Sequence, residues 1–162
     1  MIRRFDHVTI AVNDLDAAKA FFAALGFETA IDVEISGERM DAYMGVPGLV
    51  ADHVTLVLAN AAPRLEVQLL KFHQPEARTD PNIDRLDKIG FNHICFVVDD
   101  IDAEIARLKG HGVELRNSVM TFHDRKLVYL VGPEGVTIEL AEWLSDGAAI
   151  APAATGDGAA DH

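Results

Sequence analysis

The chain has 162 residues, 49% of them hydrophobic and 25% charged, a balance that supports a buried core and excludes a disordered or fibrous polymer. Its net charge of −12 removes nucleic acid from the partner classes, because a phosphate backbone would be repelled and no basic cluster with interleaved aromatics offsets the repulsion. No apolar run approaches the roughly 18 residues of a membrane span, and the opening MIRRFDH leads into a strand without an apolar signal region, so a soluble, cytoplasmic protein with no membrane partner is expected.

Residues 5–12 form the first apolar run and predict a strand. Asn13 and Asp14 supply capping side chains for a helix carrying Leu15, Ala18, Phe21, Phe22 and Leu25 at helical spacing, and Gly26 stands where a helix end tolerates positive φ. Residues 27–35 predict a strand, 36–48 a loop or short helical insertion, 52–58 a strand, 60–63 a turn and 64–72 a strand. Residues 73–90, rich in Pro and Asp, read as a linker with one helical turn at 83–89.

The chain then repeats itself. Residues 5–28 (FDHVTIAVNDLDAAKAFFAALGFE) lie over residues 91–114 (FNHICFVVDDIDAEIARLKGHGVE) at a constant offset of about 86 residues without a gap. Phe5 matches Phe91, His7 matches His93, Asp14 matches Asp100 and Gly26 matches Gly112. The second copy predicts a strand at 91–98, a helix with Ile101, Ile105 and Leu108, and strands at 113–120, 126–131 and 136–143, the last two joined by the turn Gly132-Pro133-Glu134-Gly135. Two copies are too few for a solenoid, so one domain of two similar halves is expected over residues 1–144: module one at 5–72, the linker at 73–90 and module two at 91–143. The Ala/Gly/Pro-rich residues 145–162 read as a disordered tail.

Strand alternation singles out the chemistry. His7 shares a face with Thr9 and Ala11, opposite Val8, Ile10 and Val12; in the second copy the same face carries His93, Cys95 and Val97. Glu139 lies with Thr137 and Ala141, opposite Val136, Ile138 and Leu140. Cys95, the only cysteine, precludes an intrachain disulfide and reads as a small strand residue rather than a nucleophile. Of the other histidines, His73, His111 and His162 carry no assigned role, while His123 sits in a strand connection that could cover a cavity.

Strand, helix and three strands, repeated once, with a histidine heading each half and GPEGVTIEL near the end, resembles the vicinal oxygen chelate superfamily. The resemblance covers residues 5–143 and implies an α+β fold of two tandem βαβββ modules forming a cup-shaped mixed sheet. It also implies one divalent metal ion (Co, Ni, Mn, Zn or Fe) held by a residue from the first and last strand of each module. Carried onto this chain, the ligands are His7, Gln68, His93 and Glu139. Glu66, on the same face of the same strand, is the alternative to Gln68; setting residues 67–69 over 138–140 also places Phe72 over Trp143 and favours Gln68. This ligand composition is similar to that of methylmalonyl-CoA epimerases and one residue from that of bacterial glyoxalase I. An epimerase base falls on Thr55, a departure from the pattern, and leaves Glu139, Glu66 and His53 as candidate proton-transfer residues.

The resemblance therefore implies a metal-dependent isomerase or lyase that moves a proton through an enolate of a small carbonyl substrate. Two other functions fit parts of the pattern: an Fe(II) dioxygenase using His7, His93 and Glu139, and a metal-free binding protein of the resistance type. A homodimer is expected from family precedent and from the apolar surface of Phe21, Phe22 and Phe27.

Overall fold

The computed structural model describes residues 1–144. Module one comprises β1 (His7–Ala11), α1 (Leu15–Ala24), β2 (Phe27–Ser36), α2 (Glu38–Met44), β3 (Val50–Leu58) and β4 (Glu66–Gln74). Module two comprises β5 (His93–Val97), α3 (Ile101–Gly110), β6 (Met120–Phe122), β7 (Arg125–Val131) and β8 (Thr137–Trp143). The change from strand to helix occurs at matched caps: Asp14 accepts from the Ala17 N–H at 2.9 Å and Asp100 from the Ala103 N–H at 2.9 Å. The α+β class and the two βαβββ modules are as the sequence implies.

Each module builds a four-stranded sheet, in the orders β1-β4-β3-β2 and β5-β8-β7-β6. The first strand runs parallel to the last and the other pairings are antiparallel. The two parallel seams have one register. Val12 N–H donates to Leu70 at 2.8 Å and Val98 N–H to Ala141 at 2.9 Å, so Leu70 and Ala141, and with them Gln68 and Glu139, occupy equivalent positions.

Of the local expectations, one is decided between its alternatives and two change. The insertion between β2 and β3 contains the helix α2. The linker forms successive turns rather than a helical turn at 83–89, because the Asp80 carboxylate and carbonyl capture the N–H groups of Asn82 and Ile83. The strand expected at 113–120 is reduced to one bridge, Leu115 to Leu130, with β6 beginning only at Met120. The cause is Asn117, whose Oδ1 accepts the Tyr129 N–H at 2.8 Å where a neighbouring strand would present a carbonyl. The expected disorder of residues 145–162 lies outside the described residues.

The helix-facing sides of both sheets share one core. Ile10, Val12, Val54, Leu56, Val67 and Leu69 from module one join Val128, Leu130, Ile138 and Leu140 from module two. Each large apolar side chain buried in this way contributes about 1.5–3 kcal/mol. Phe22, Phe27 and Phe96 form an edge-to-face chain across the modules at 5.6 and 5.7 Å. Phe22 and Phe27 are 0% and 4% exposed, which corrects their assignment to a dimer surface: their apolar area is used inside the chain.

The approach to helix α1 is held by module two. In module two the Glu142 carboxylate accepts the Ile101 N–H at 2.8 Å, but the equivalent position in module one is Lys71, which has no acceptor to offer. Glu134, from the turn before β8, instead holds the two residues that lead into α1, accepting from the Asn13 and Asp14 N–H groups at 2.6 and 3.2 Å. That turn is tight: a Cβ on Gly132 would lie 2.7 Å from the Val136 carbonyl oxygen, and Glu134 itself holds φ at 54°, a conformation its capping bonds sustain. Glu134→Ala is expected to cost about 1.5–3 kcal/mol, as for other hydrogen bonds to a charged acceptor, and Glu134→Gln less, since an acceptor remains. Thermal or urea unfolding of the two variants measures the difference.

Candidate metal centre

The side of each sheet away from the core carries the polar residues, in rows set by register. In module one Thr9, Gln68 and Thr55 lie side by side, with His7 beside Glu66 in the next row. In module two the matching rows are Cys95, Glu139 and Tyr129, with His93 beside Thr137. Alternation forces this arrangement, because Val67, Leu69, Ile138 and Leu140 occupy the buried side.

Both histidines are oriented by the residue before them. His7 Nδ1 lies 2.8 Å from Asp6 Oδ2 and His93 Nδ1 lies 2.8 Å from Asn92 Oδ1. Each partner oxygen is an acceptor, so each Nδ1 carries the proton and each Nε2 is left with the lone pair that a metal would take. The bond to His7 is the main cause holding the Asp6 carboxyl below its usual range.

In module two, His93 Nε2 stands 3.1 Å from Glu139 Oε2. With Nδ1 protonated, this contact sets a lone pair against a carboxylate unless a proton or a cation lies between them. Glu139 is only 8% exposed, and Thr137, beside His93 in register, is fully buried with no partner for its hydroxyl. A buried carboxylate, an aimed imidazole and an unsatisfied hydroxyl together fit a divalent ion with oxygen ligands. Burial first, and then Glu139, pushes the Cys95 thiol up to about 12. Burial and the same carboxylate also hold the Tyr129 phenol above its usual range.

In module one, Gln68 Oε1 lies 3.1 Å from His53 Nε2 and accepts from the Thr9 hydroxyl at 3.4 Å. Glu66 pairs with Arg64 at 2.5 Å and receives a 3.5 Å bond from Gln68 Nε2. Thr55, where the epimerase base would fall, is 3% exposed. His123 lies in the exposed turn between β6 and β7, its ring 4.3 Å from that of Phe122.

The residues expected at the centre are therefore grouped in two halves. Gln68, His53 and Glu66 meet in one, and His93 meets Glu139 in the other. Among the described residues, the group of three His, Cys, Asp or Glu side chains with ligand atoms within 4.8 Å of one another is Asp6, His7 and Glu66. His7 does not join His93 and Glu139 in such a group.

Sequence reasoning gave no role at the centre to Asp6, Asn92, Arg64, Thr137 or Tyr129. Asp6 and Asn92 carried a readable signal, since they are polar residues at matched positions before the two histidines. Tyr129 carried none, because its place opposite Glu139 exists only once β7 and β8 are in register.

Comparison with known proteins agrees with this architecture. An Escherichia coli protein named YaeR and described as uncharacterized is 27% identical over 143 residues, covering 87% of this chain and 97% of its own length. An ethylmalonyl-CoA/methylmalonyl-CoA epimerase from Cereibacter sphaeroides is 32% identical over 121 residues, covering 73% of this chain and 78% of its own. A crystal structure of a glyoxalase family protein from Bacillus cereus superposes with a TM-score of 0.80 at 29% identity, covering 90% of this chain and 97% of that one. Residues 6–129 match the sequence profile of one family, and the chain belongs to it: the Glyoxalase/Bleomycin resistance protein/Dioxygenase superfamily.

Proposed function

We propose that the protein is a cytoplasmic, metal-dependent isomerase or lyase that moves a proton next to the carbonyl of a small substrate, in the manner of an epimerase or a glyoxalase. The observation that carries this reading is the matched pair of half-sites. At one register position in each module stands a histidine with its Nδ1 tied back, and one row away an oxygen donor, Gln68 or Glu139. His7, Gln68, His93 and Glu139 are the proposed ligands, with Gln68 preferred to Glu66 because Gln68 is the register equivalent of Glu139.

A divalent ion there supplies Lewis-acid stabilisation of the negative charge that develops on a substrate oxygen. The chain's own residues do the rest. Asp6 and Asn92 hold the imidazoles in one tautomer. His53 donates through Nε2 to Gln68, which leaves its Nδ1 as a base; Glu66, fixed by Arg64, and Glu139 are the other proton-transfer candidates on the same faces. Gln68 sits where an Fe(II) dioxygenase would need an open position for O₂, which favours the isomerase over the oxygenase. The four-donor set likewise favours metal chemistry over a metal-free binding role.

A homodimer completes the centre in this reading: His7 and Gln68 of one copy meet His93 and Glu139 of another. The separate half-sites support it, as do β1 and β5, each paired on one side only and flanked by the exposed Phe5 and Phe91. Metal analysis of the purified protein is expected to give about one divalent ion per chain, with deuterium wash-in from solvent to 2-substituted acyl thioesters or to a glutathione hemithioacetal. Oxygen uptake with a catechol and no wash-in to any carbonyl compound would overturn the assignment.

Glu139→Ala is expected to fold cooperatively but to lose metal affinity by more than the roughly 10–100-fold typical of residues that merely support a ligand. Mixing His7→Ala chains with Glu139→Ala chains after joint refolding tests the shared centre. Pairs of unlike chains then hold one intact set of four ligands, restoring about a quarter of the metal capacity. A centre built within each chain restores none.

A further inference from the structure

We propose that the groove between α1 and the turn after α3 is a docking surface for an arginine side chain of a partner protein, whose guanidinium binds at the C-terminal end of α3. This surface stands apart from the metal-dependent reading above, since no residue lining the groove is a proposed ligand or proton-transfer group.

The internal repeat supplies the comparison. Helix α1 ends at Ala24 and α3 at Gly110, which are matched positions of the two copies. The last carbonyl of a helix has no donor within the helix and takes one from elsewhere. At Ala24 that donor is Arg107 of α3: a guanidinium N–H lies 2.6 Å from the Ala24 carbonyl oxygen, and Glu104, one turn back, holds the same guanidinium at 3.0 Å. The fold thus displays its own occupant for a helix end in this setting, and that occupant is a guanidinium.

At Gly110 the cation is missing. The repeat puts Phe21 where Arg107 stands and the fully buried Ala18 where Glu104 stands, so α1 has nothing to reach across with. The turn after α3 sends the N–H groups of His111 and Val113 to Leu108 and that of Gly112 to Lys109. Among the described residues no backbone donor is given to the Gly110 carbonyl. What lies on that side is an open groove of about 450 Å³, walled by Ala17, Ala20 and Phe21 of α1 and by His111, Val113 and Glu114 beyond α3.

The chemistry of the groove suits a guanidinium. Aligned peptide dipoles leave partial negative charge on the final carbonyls of α3, and Glu114 adds a carboxylate beside them. A planar fork donates to a carbonyl and a carboxylate together, which a compact ammonium does less well. The Phe21 ring offers an aromatic wall, and the small Ala17 and Ala20 leave room along it for a methylene stem. Lys109 is not among the residues that line the groove, so no lysine of the chain fills the place. The groove is far wider than one guanidinium and open to solvent, so the arginine that fits it is one carried by a chain that also covers Ala17 and Ala20. A net charge of −12 favours the approach of such a basic partner.

The test follows amide NMR signals of the isotope-labelled, full-length protein during titration with the peptide acetyl-Ala-Arg-Ala-amide. Shifts are expected at residues 17–21 and 110–114, with affinity lowered about ten-fold when citrulline, which keeps the shape and loses the charge, replaces arginine. Glu114→Gln is expected to weaken the arginine peptide about three-fold. Phe21→Arg, which places a guanidinium where Arg107 has one in the other copy, is expected to remove the shifts; if it fails to fold because Phe21 packs on Phe22, the citrulline peptide and Glu114→Gln decide the matter. Equal affinity for arginine, lysine and citrulline peptides overturns the proposal, as do shifts that lie elsewhere or an absence of binding to the wild type. Free arginine that binds as tightly as the peptide assigns the groove to a small guanidinium compound and overturns the docking role.

Discussion

The parallel seam between the first and last strand of each module is the constraint on which the rest depends. One side of the seam is sealed into the core by Ile10, Val67 and Leu69 in module one and by Ile138 and Leu140 in module two. Thr9, Glu66, Gln68, Thr137 and Glu139 are therefore driven to the other side. Shifting β4 or β8 by one residue would send Gln68 or Glu139 into the core and expose Leu69 or Leu140, at a cost of several kcal/mol for the buried amide or carboxylate and the lost apolar contact. Hydrophobic burial on one side thus sets the positions of the candidate ligands on the other.

The modules share this frame and differ at matched positions on both of its sides. Gln68 corresponds to Glu139, Thr55 to Tyr129, Glu66 to Thr137 and Lys71 to Glu142. The last difference is structural: with no acceptor at Lys71, the residues leading into α1 are held by Glu134 of module two, which ties the modules together. The others are chemical. They leave module one with an amide, an imidazole and a carboxylate paired to Arg64, and module two with a buried carboxylate beside a phenol and a thiol.

Electrostatics gives the second half-site its character. Burial and Glu139 both raise the Cys95 thiol and the Tyr129 phenol above their ordinary ranges, which leaves the carboxylate with neutral neighbours. A carboxylate facing a tied-back imidazole, with neutral neighbours, leaves a positive centre as the group that satisfies all of them. In a chain of net charge −12 such a centre also relieves local repulsion.

The sequence by itself determined the repeat, the two βαβββ modules, the aspartate caps and the outward faces of His7, Gln68, His93 and Glu139, because helical and strand periodicity and cap chemistry are local properties that a single chain displays. It left Glu66 and Gln68 to be separated by alignment, which the two matched seams then placed in register. It could not show that Asn117 interrupts the strand at 113–120, that Phe22 and Phe27 are consumed in a core common to both modules, or that Tyr129 stands against Glu139. Each of these depends on a contact between residues distant along the chain. Tertiary structure alone decided them, because which strand lies beside which is set by packing the two apolar faces together, and neither module's sequence contains the other's surface.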